Sequence, residues 1–404
     1  MNTHTLIERP LYLKRLVQMK DLPLIKTITG VRRSGKSTLL NKIFFQHLVE
    51  SGTREDHVIR INCESREFLK MQRDEIFEYV SSRIIDESPH YLLFDEIQEV
   101  EGFDRLVNAL MVDLPVDIYL SGSNSKLLGK ELSTYLSGRY VEIAMLPLSF
   151  SEYHAHVRDT MDEESILMTY LQSGGFPLTI GLDDEKRDII LDGIYHSVVM
   201  KDIVERYDIR DSNLLTNIVL TVYSAIGSMT SPAKLANTLT SKGYSASLVS
   251  VRNYLDYLCS SFILYKCRRY SIKGKAYLDN VAKYYAPDLG LRNSILHYRQ
   301  GDVSRLLENA VFIELTSRGF SVDVGQCDAY EVDFICRKGA DLFYLQVTMR
   351  LDPPEKLEQK TRSLLRTGDA FDKYLVTMDR VLFPMLENGI KVRNIIDFGL
   401  FGEN

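Results

Sequence analysis

Residues 30–38 read Gly-Val-Arg-Arg-Ser-Gly-Lys-Ser-Thr, a match to the phosphate-binding loop pattern G-x-x-x-x-G-K-[S/T]. A polyphosphate needs several hydrogen-bond donors and no crowding side chains. Gly30 and Gly35 allow the backbone to curl until its N–H groups point at the β-phosphate. Lys36 supplies a cation between the β- and γ-phosphates, and the Ser37 hydroxyl is placed to bind Mg²⁺. The stretch therefore predicts a nucleoside triphosphate site.

The sequence on either side of this loop predicts the secondary structure that such a site requires. Residues 24–29 form a short apolar, β-branched run typical of a strand, and residues 38–45 carry apolar side chains at helical spacing. This order places the triphosphate at a helix N-terminus, where the helix dipole and free N–H groups favour anions. The loop residues predicted to contact the nucleotide are Gly30, Arg33, Ser34, Gly35, Lys36, Ser37 and Thr38.

A second apolar run, residues 91–96, ends in the carboxylates Asp95 and Glu96. An aspartate at the end of a buried strand can ligate Mg²⁺, and the adjacent glutamate can act as a general base toward the attacking water. The alternative is a solvated strand end that leads into a helix N-cap, where Asp and Glu are common. Because a phosphate loop precedes this run, the sequence favours the metal and water pair.

Two further segments are candidates for contacts with the γ-phosphate. The strand-like run 116–120 leads into small polar residues, of which Ser123 and Asn124 are favoured, although an ordinary polar loop fits the same pattern. Arg139 precedes another strand-like run, residues 141–145. This arginine could stabilise transition-state charge in its own site or in that of a neighbouring subunit. A surface ion pair is the alternative.

The order of these motifs, followed by Leu-Pro-Leu-Ser-Phe-Ser-Glu-Tyr at residues 146–153, resembles a group of prokaryotic AAA-type ATPases over nearly the whole chain. In that group, a P-loop domain precedes a C-terminal domain of unknown function. The resemblance implies ATP and Mg²⁺ as ligands, with Asp95 and Glu96 as the metal and water pair. It makes Arg139 a candidate arginine finger and places residues 121–123 at the sensor strand end. We also expect a homo-oligomer.

Composition agrees with an ordinary intracellular enzyme. Of the 404 residues, 45% are hydrophobic and 26% are charged, and the length allows two or three domains. The five scattered cysteines lack the Cys-x-x-Cys spacing of a zinc site and do not suggest a disulfide framework. The sequence shows no signal-peptide core and no apolar run near the roughly 18 residues of a membrane span, so we expect a cytoplasmic protein. The net charge of −6 argues against a globally basic nucleic-acid coat.

The middle of the chain has the pattern of a winged helix-turn-helix. Residues 213–227, a segment that begins at Ser231-Pro232, and residues 247–260 have helical apolar spacing, and residues 262–270 read as a strand. The cations predicted to contact DNA phosphates are Arg252, Lys266, Arg268, Arg269, Lys273 and Lys275, against one carboxylate, Asp256. The alternative is a protein–protein or structural connector.

The last hundred residues predict a further α/β unit. Residues 330–336 and 342–348 read as two strands with a short link. The pair resembles the restriction-endonuclease-like core, in which an Asp and a Glu-x-Lys motif hold Mg²⁺ and activate water. Asp333 fits the first position, but Gln346 and Thr348 replace the glutamate and the lysine. We therefore expect a degenerate domain that serves binding or assembly.

We thus expect an α/β protein in three parts. An AAA-type P-loop domain occupies residues 1–150, a helical region with the winged-helix candidate occupies 151–295, and a degenerate nuclease-like domain occupies 296–404.

Two functions are compatible with these features. The first is a Mg²⁺-dependent ATPase that moves or remodels DNA as an oligomer. Glu96 and Arg139 favour it, because a pure nucleotide binder needs neither a water-polarising carboxylate nor a finger. The second is an ATP-controlled switch with slow turnover that binds DNA or protein. An ATP-fuelled nuclease is less favoured, because the Glu-x-Lys motif is missing.

Overall fold

A computed structural model describes residues 6–123, 138–352, 354–381, 384–386 and 388–401 of this chain. The chain divides into two compact units. The first contains residues 1–147 and 260–262, and the second contains residues 148–259 and 263–404. Among the described residues, none of the helices combines the length and the apolar character that a membrane span requires.

The first unit is built on a five-stranded sheet whose strands all run parallel. In chain order they are β1 (Ile25–Thr29), β2 (Val58–Asn62), β3 (His90–Asp95), β4 (Val116–Gly122) and β5 (Tyr140–Ala144). Their order across the sheet is β2-β3-β4-β1-β5. Strands β1 and β3 are buried along their whole length, as expected where helices cover both faces of a parallel sheet. The predicted α/β fold is confirmed.

The helices of the first unit pack against this sheet in two hydrophobic clusters. They are Pro10–Gln18, a continuous helix from Lys36 to Glu50 whose middle turns (Leu39–Phe44) are of π type, Arg73–Ser81 and Phe103–Asp113. Side chains alternate along a strand. In β3, Leu92 and Phe94 therefore join one cluster, whereas Tyr91 and Leu93 join the other. An apolar strand without alternation is stable here because both of its faces are covered.

The strand order brings three strand ends together at one edge of the sheet. Strand β1 lies next to β4, and β3 lies on the far side of β4. Because all three are parallel, they end side by side at Thr29, Asp95 and Gly122. Phe94 pairs with Leu120, so the two strands reach this edge in register. Ligands of open α/β sheets bind at this carboxyl edge.

The second unit contains a mixed seven-stranded sheet and helices. The strands are β6 (Tyr265–Ser271), β7 (Ala276–Tyr285), β8 (Ser321–Cys327), β9 (Tyr330–Lys338), β10 (Asp341–Thr348), β11 (Asp372–Thr377) and β12 (Lys391–Asn394). Their order is β12-β11-β10-β9-β8-β6-β7. The helices are Phe150–Val157, Glu163–Ser173, Asp184–Ser197, which continues as Val198–Glu205, Ser212–Ser224, Pro232–Ser241, Leu248–Ser260, Leu289–Leu296, Val303–Ser317, Pro354–Leu365 and Ile395–Phe401.

The elements expected of the winged-helix candidate occur in the expected order. The three helices Ser212–Ser224, Pro232–Ser241 and Leu248–Ser260 precede the antiparallel hairpin β6–β7. Strand β6 also pairs in parallel with β8, so this hairpin belongs to the same sheet as the strands beyond residue 296. The winged-helix assignment and the domain boundary at residue 295 stay predictions.

Candidate functional site

The phosphate loop connects the end of β1 to the helix that begins at Lys36, and its backbone depends on two glycines. Gly30 has φ 147° and Gly35 has φ 104°, values that L side chains rarely adopt. A Cβ atom on Gly30 would lie 2.1 Å from the carbonyl oxygen of Met145. Gly30 is therefore needed both for its conformation and for its close approach to the segment that follows β5.

Lys36 points its ammonium back into the loop. Its side chain is 3% exposed, and Nζ donates to the carbonyl oxygens of Gly30 at 3.0 Å and Val31 at 3.1 Å. Two buried hydroxyls lie in the same region of the sheet edge, those of Ser34 and Ser123, and neither has a hydrogen-bond partner among the described residues. Buried hydroxyls normally have partners. The Ser34 hydroxyl of the loop and the Ser123 hydroxyl after β4 are therefore available as donors to an anion such as a phosphate.

Asp95 is the centre of a hydrogen-bonded group at the ends of β3 and β4. The Ser37 hydroxyl donates to its Oδ1 at 3.0 Å, and the Ser121 hydroxyl donates to the same oxygen. The backbone N–H of Glu96 donates to Ser121 Oγ at 3.1 Å. Ser37 belongs to the phosphate-loop helix, so this group joins the loop to the two neighbouring strands.

The surroundings of Asp95 fit a divalent cation. Burial raises the pKa of Asp95 above its usual value, although the hydrogen bonds from Ser121 and Ser37 act in the opposite direction. Glu96 raises this pKa further, and Lys36 lowers it. A buried carboxylate whose charge is incompletely compensated, beside a serine hydroxyl, offers the hard oxygen ligands that Mg²⁺ prefers. Ser37 and Asp95 are therefore suited to hold the metal that the sequence predicts.

Glu96 lies next to this group in an unusual backbone conformation. Its φ of 51° is in the left-handed region, and its side chain is 9% exposed. Gln98 Nε2 donates to Glu96 Oε2 at 2.5 Å, which fixes the carboxylate. A non-glycine residue in this region is worth a functional explanation, because the conformation is costly. The arrangement holds a carboxylate at the same edge as the phosphate loop.

The remaining predicted site residues occupy different positions. Arg33 is exposed, and Thr38 is half-buried in the first turn of the helix. Asn124 lies outside the described residues. The Arg139 carbonyl accepts a hydrogen bond from the Ile25 N–H at 2.8 Å, so Arg139 lies at the amino edge of the sheet.

That position separates Arg139 from the phosphate loop of its own chain. Strand β1 carries the chain from Ile25 to Gly30, about 16 Å at ~3.3 Å per residue, and the loop begins at its far end. This separation exceeds the length of an extended arginine side chain. Arg139 therefore does not reach the phosphate loop of its own chain, and of the two finger roles only the one in a neighbouring subunit remains.

Sequence patterns did not reveal two contacts of the site. Ser121, which the family resemblance placed at the sensor strand end, donates to Asp95, whereas the predicted contact of Ser123 with the γ-phosphate stays a prediction. Arg9 donates to the carbonyl of Ser34 at 3.0 Å from the segment before the first helix. No local sequence pattern predicts the contacts of Arg9, because its partners Ser34 and Leu146 lie 25 and 137 residues away.

Comparisons with known proteins agree with this geometry. A family model described as an AAA domain matches residues 23–154, and one described as a domain of unknown function matches residues 164–302. An uncharacterised protein of Haemophilus influenzae is 40% identical over 399 residues, which cover 97% of this chain and 98% of that protein. The chain belongs to the AAA-type P-loop ATPase family. The predicted resemblance is confirmed.

One further sequence relative and one solved structure are similar to this AAA-type ATPase. An uncharacterised protein of Methanocaldococcus jannaschii is 32% identical over 367 residues, which cover 85% of this chain and 79% of that protein. Among solved structures, a Walker-type ATPase of Pyrococcus abyssi is 16% identical, with a TM-score of 0.51 over 72% of this chain and 95% of that chain. At this identity, the match shows a likeness of fold.

In the second unit of the ATPase, one groove of about 330 Å³ is lined by three of the six cations predicted to contact DNA. These are Arg252, Lys266 and Arg268, and the carboxylate of Asp256 lines the same groove. The Arg268 guanidinium lies 3.8 Å from the centre of the Tyr277 ring in the same groove. The other three predicted cations do not line this groove. Lys273 pairs with Asp328 at 2.5 Å, Arg269 donates to Gln326, and Lys275 is exposed in the hairpin turn.

The second unit of the ATPase contains a buried charge cluster centred on Lys283, which includes Asp333. Its Nζ lies 2.9 Å from Glu308, 2.7 Å from Glu331 and 3.4 Å from Asp333. Burial alone would lower the pKa of Lys283, but the three carboxylates raise it well above its usual value. One ammonium therefore lies between Asp333, which the sequence placed at the first nuclease position, and two further carboxylates.

Asp333 is satisfied by the same cluster. Burial alone would raise its pKa, but Lys360 at 3.2 Å and Lys283 together hold it below the usual value. Thr348 donates to the Arg350 carbonyl at 2.9 Å, away from this group. The restriction-endonuclease-like assignment of this sheet and the expected degenerate site both stay predictions.

The Asp95 group leads to a testable prediction. Replacing Ser121→Ala removes a hydrogen bond to the ionised carboxylate, so the pKa of Asp95 should rise further above its usual value. The change can be measured by following the Asp95 carboxyl carbon through an NMR pH titration. Ser123→Ala is the matched control, because its hydroxyl has no partner among the described residues. An unchanged titration in Ser121→Ala would contradict the contact.

Proposed function

We propose that this protein binds ATP with Mg²⁺ and hydrolyses it to ADP and phosphate. The observation that carries the proposal is the Asp95 group, in which hydroxyls from the phosphate-loop helix (Ser37) and from β4 (Ser121) meet one carboxylate beside Glu96. A loop with spare donors, a metal-binding pair and a carboxylate base at one sheet edge are the parts that phosphoryl transfer to water requires. Adenine as the base is inferred from the family.

Each residue has a definite part in the proposed reaction. The loop N–H groups and Lys36 bind and orient the β- and γ-phosphates. Glu96 accepts a proton from the attacking water while the water oxygen bonds to the γ-phosphorus and the bond to the ADP oxygen breaks. Ser37 and Asp95 would hold Mg²⁺, which neutralises phosphate charge when it is bound. Gln98 keeps the Glu96 carboxylate in place through its 2.5 Å hydrogen bond.

Substitutions of two residues separate binding from hydrolysis. Lys36→Ala should weaken ATP binding by roughly a hundredfold or more, because the β- and γ-phosphates lose their cation. Glu96→Gln should bind ATP as the wild type does but hydrolyse it roughly 10²–10⁴ times more slowly, because the general base is lost. Binding is measured with a fluorescent ATP analogue, and turnover by phosphate release. Wild-type turnover in Glu96→Gln would show that the base is another group.

We also propose that the protein acts as a homo-oligomer in which Arg139 completes a neighbour's site. Arg139 is exposed and lies about 16 Å along β1 from the phosphate loop of its own chain. Among the described residues, no carboxylate is within ion-pair distance of its guanidinium. An arginine finger supplied by another subunit would have such an exposed position.

Mixing two inactive variants tests this arrangement. Lys36→Ala lacks the phosphate cation and Arg139→Ala lacks the finger, so each alone should hydrolyse ATP at least roughly a thousandfold more slowly than the wild type. In mixed oligomers, an Arg139→Ala subunit can bind ATP next to a Lys36→Ala subunit that supplies Arg139. Phosphate release should therefore recover in the mixture. A mixture as inactive as its components would argue against a finger in a neighbouring site.

We propose DNA as the partner of the second unit, with the groove cations Arg252, Lys266 and Arg268 as phosphate contacts. Three cations line this groove with the carboxylate of Asp256 and the ring of Tyr277, and Arg268 also lies 3.8 Å from Asp323. Positive charge with interleaved tyrosines suits a nucleic-acid backbone. An ATP-driven translocase or remodeller would use this contact during turnover, whereas an ATP-controlled switch would use it with slow turnover.

The salt dependence of DNA binding tests whether the groove cations contact DNA phosphates. Arg252→Ala and Lys266→Ala should each reduce the slope of log affinity against log salt concentration by roughly one, because one phosphate contact is lost. Lys273→Ala is the matched control, since its partner is Asp328 and it does not line the groove. Affinity is measured by fluorescence anisotropy with single-stranded, duplex and branched DNA. Equal slopes in all variants would exclude the groove as the DNA site.

A further inference from the structure

Arg9 connects the phosphate loop to the segment that leaves β5. Its side chain is 3% exposed, its Nη1 donates to the Ser34 carbonyl at 3.0 Å, and its Nη2 donates to the Leu146 carbonyl at 2.8 Å. Ser34 belongs to the phosphate loop. Leu146 directly precedes Pro147, where the chain leaves the first unit. One guanidinium therefore holds the nucleotide loop and the exit from the first unit at the same time.

Neighbouring hydrogen bonds also hold residues 145–147, the exit segment through which the chain leaves the first unit. The Leu146 N–H donates to the Tyr12 hydroxyl at 3.3 Å, and the Met145 N–H donates to the Thr29 carbonyl at 2.7 Å. The Arg9 guanidinium lies 4.7 Å from the centre of the Tyr12 ring, which is fully buried. These bonds, with the close contact at Gly30, tie the exit segment to both ends of the phosphate loop.

Peptide geometry makes the Arg9 contact relevant to the nucleotide. The peptide unit between Ser34 and Gly35 is planar and trans, so its C=O and N–H groups point in opposite directions. Because Arg9 holds the Ser34 carbonyl, the Gly35 N–H points away from Arg9. Gly35 is a donor of the phosphate loop, directly before Lys36. A phosphate and Arg9 therefore act on opposite sides of one rigid peptide.

We propose that Arg9 is a positioning residue that couples nucleotide binding to the exit segment at residues 145–147. When a phosphate binds the Gly35 N–H, the shared peptide is fixed, and the two charge-assisted hydrogen bonds of Arg9 pass this restraint to Leu146. Without a nucleotide, the loop and the exit segment keep more freedom. This coupling rests on the proposed ATP binding and gives the ATPase a route from its nucleotide site to the chain that enters the second unit.

Hydrogen exchange on the full-length protein tests the coupling. Amide exchange is followed by mass spectrometry with and without a non-hydrolysable ATP analogue and Mg²⁺, and analogue binding is measured separately by fluorescence. In the wild type, the analogue should slow exchange in the phosphate loop and in a peptide covering residues 143–150. In Arg9→Gln, it should still protect the loop, with roughly tenfold weaker binding, but should no longer protect residues 143–150.

Two further variants make the test specific. Arg15→Gln is the matched control, because Arg15 lies 5.2 Å from the same Tyr12 ring on the same helix, and it should retain the protection of residues 143–150. Arg9→Lys keeps the charge but cannot hold two carbonyls with a planar fork, so it should lose that protection as Arg9→Gln does. If Arg9→Gln fails to fold, Arg9→Lys is the variant that tests the coupling.

The outcomes separate this proposal from the proposed function. A wild-type protein that binds the analogue without protecting residues 143–150 would overturn the coupling and leave ATP binding intact. An Arg9 variant with the full wild-type response would show that Arg9 has only a structural role. A wild-type protein that binds no nucleotide would refute the proposed function itself, and the coupling with it.

Discussion

The parallel pairing of β1, β4 and β3 is the constraint on which the rest of the site depends. Parallel strands end at one edge, so residues far apart in sequence meet there, with Phe94 opposite Leu120 fixing the register. This register places the Ser121 hydroxyl on Asp95, and the phosphate loop that follows β1 adds the Ser37 hydroxyl to the same oxygen. A slip of one residue would turn Ser121 to the opposite face of the sheet and break the group.

Burial then sets the chemistry of this edge. Asp95 is buried beside a second carboxylate, Glu96, and its pKa is raised. A Mg²⁺ ion bound there would compensate this charge, so metal affinity should fall on acidification at a higher pH than for an ordinary aspartate, because protonation of Asp95 competes with the metal. The second unit meets the same problem differently. There, the ammonium of Lys283 lies within 3.4 Å of three carboxylates and compensates part of their charge.

Local sequence was sufficient for features that local chemistry determines. The phosphate loop, its flanking strand and helix, the buried strand that ends at Asp95 and the three helices before β6 were all predicted from spacing and composition. Glycine at position 30 belongs to this group, because the loop pattern requires it, although its contact with Met145 was not visible in the sequence.

Features set by tertiary distance could not be predicted in this way. The contact of Ser121 with Asp95 depends on how β3 and β4 pair, and the separation of Arg139 from its own phosphate loop depends on the direction of β5 beside β1. The contacts of Arg9 with Ser34 and Leu146 span 25 and 137 residues, so the periodicity of the sequence cannot predict them. Which of the basic residues line the groove likewise depends on tertiary structure, because Arg252 lies on a helix and Lys266 and Arg268 lie on β6.

The most direct measurement is a calorimetric titration of the wild-type protein with a non-hydrolysable ATP analogue, first with Mg²⁺ and then with EDTA. The account predicts binding of one analogue per chain, tighter with Mg²⁺ than with EDTA, since the metal compensates the buried Asp95 carboxylate. Absence of binding under both conditions would contradict it. Equal affinity under the two conditions would contradict the assignment of Ser37 and Asp95 as the metal site.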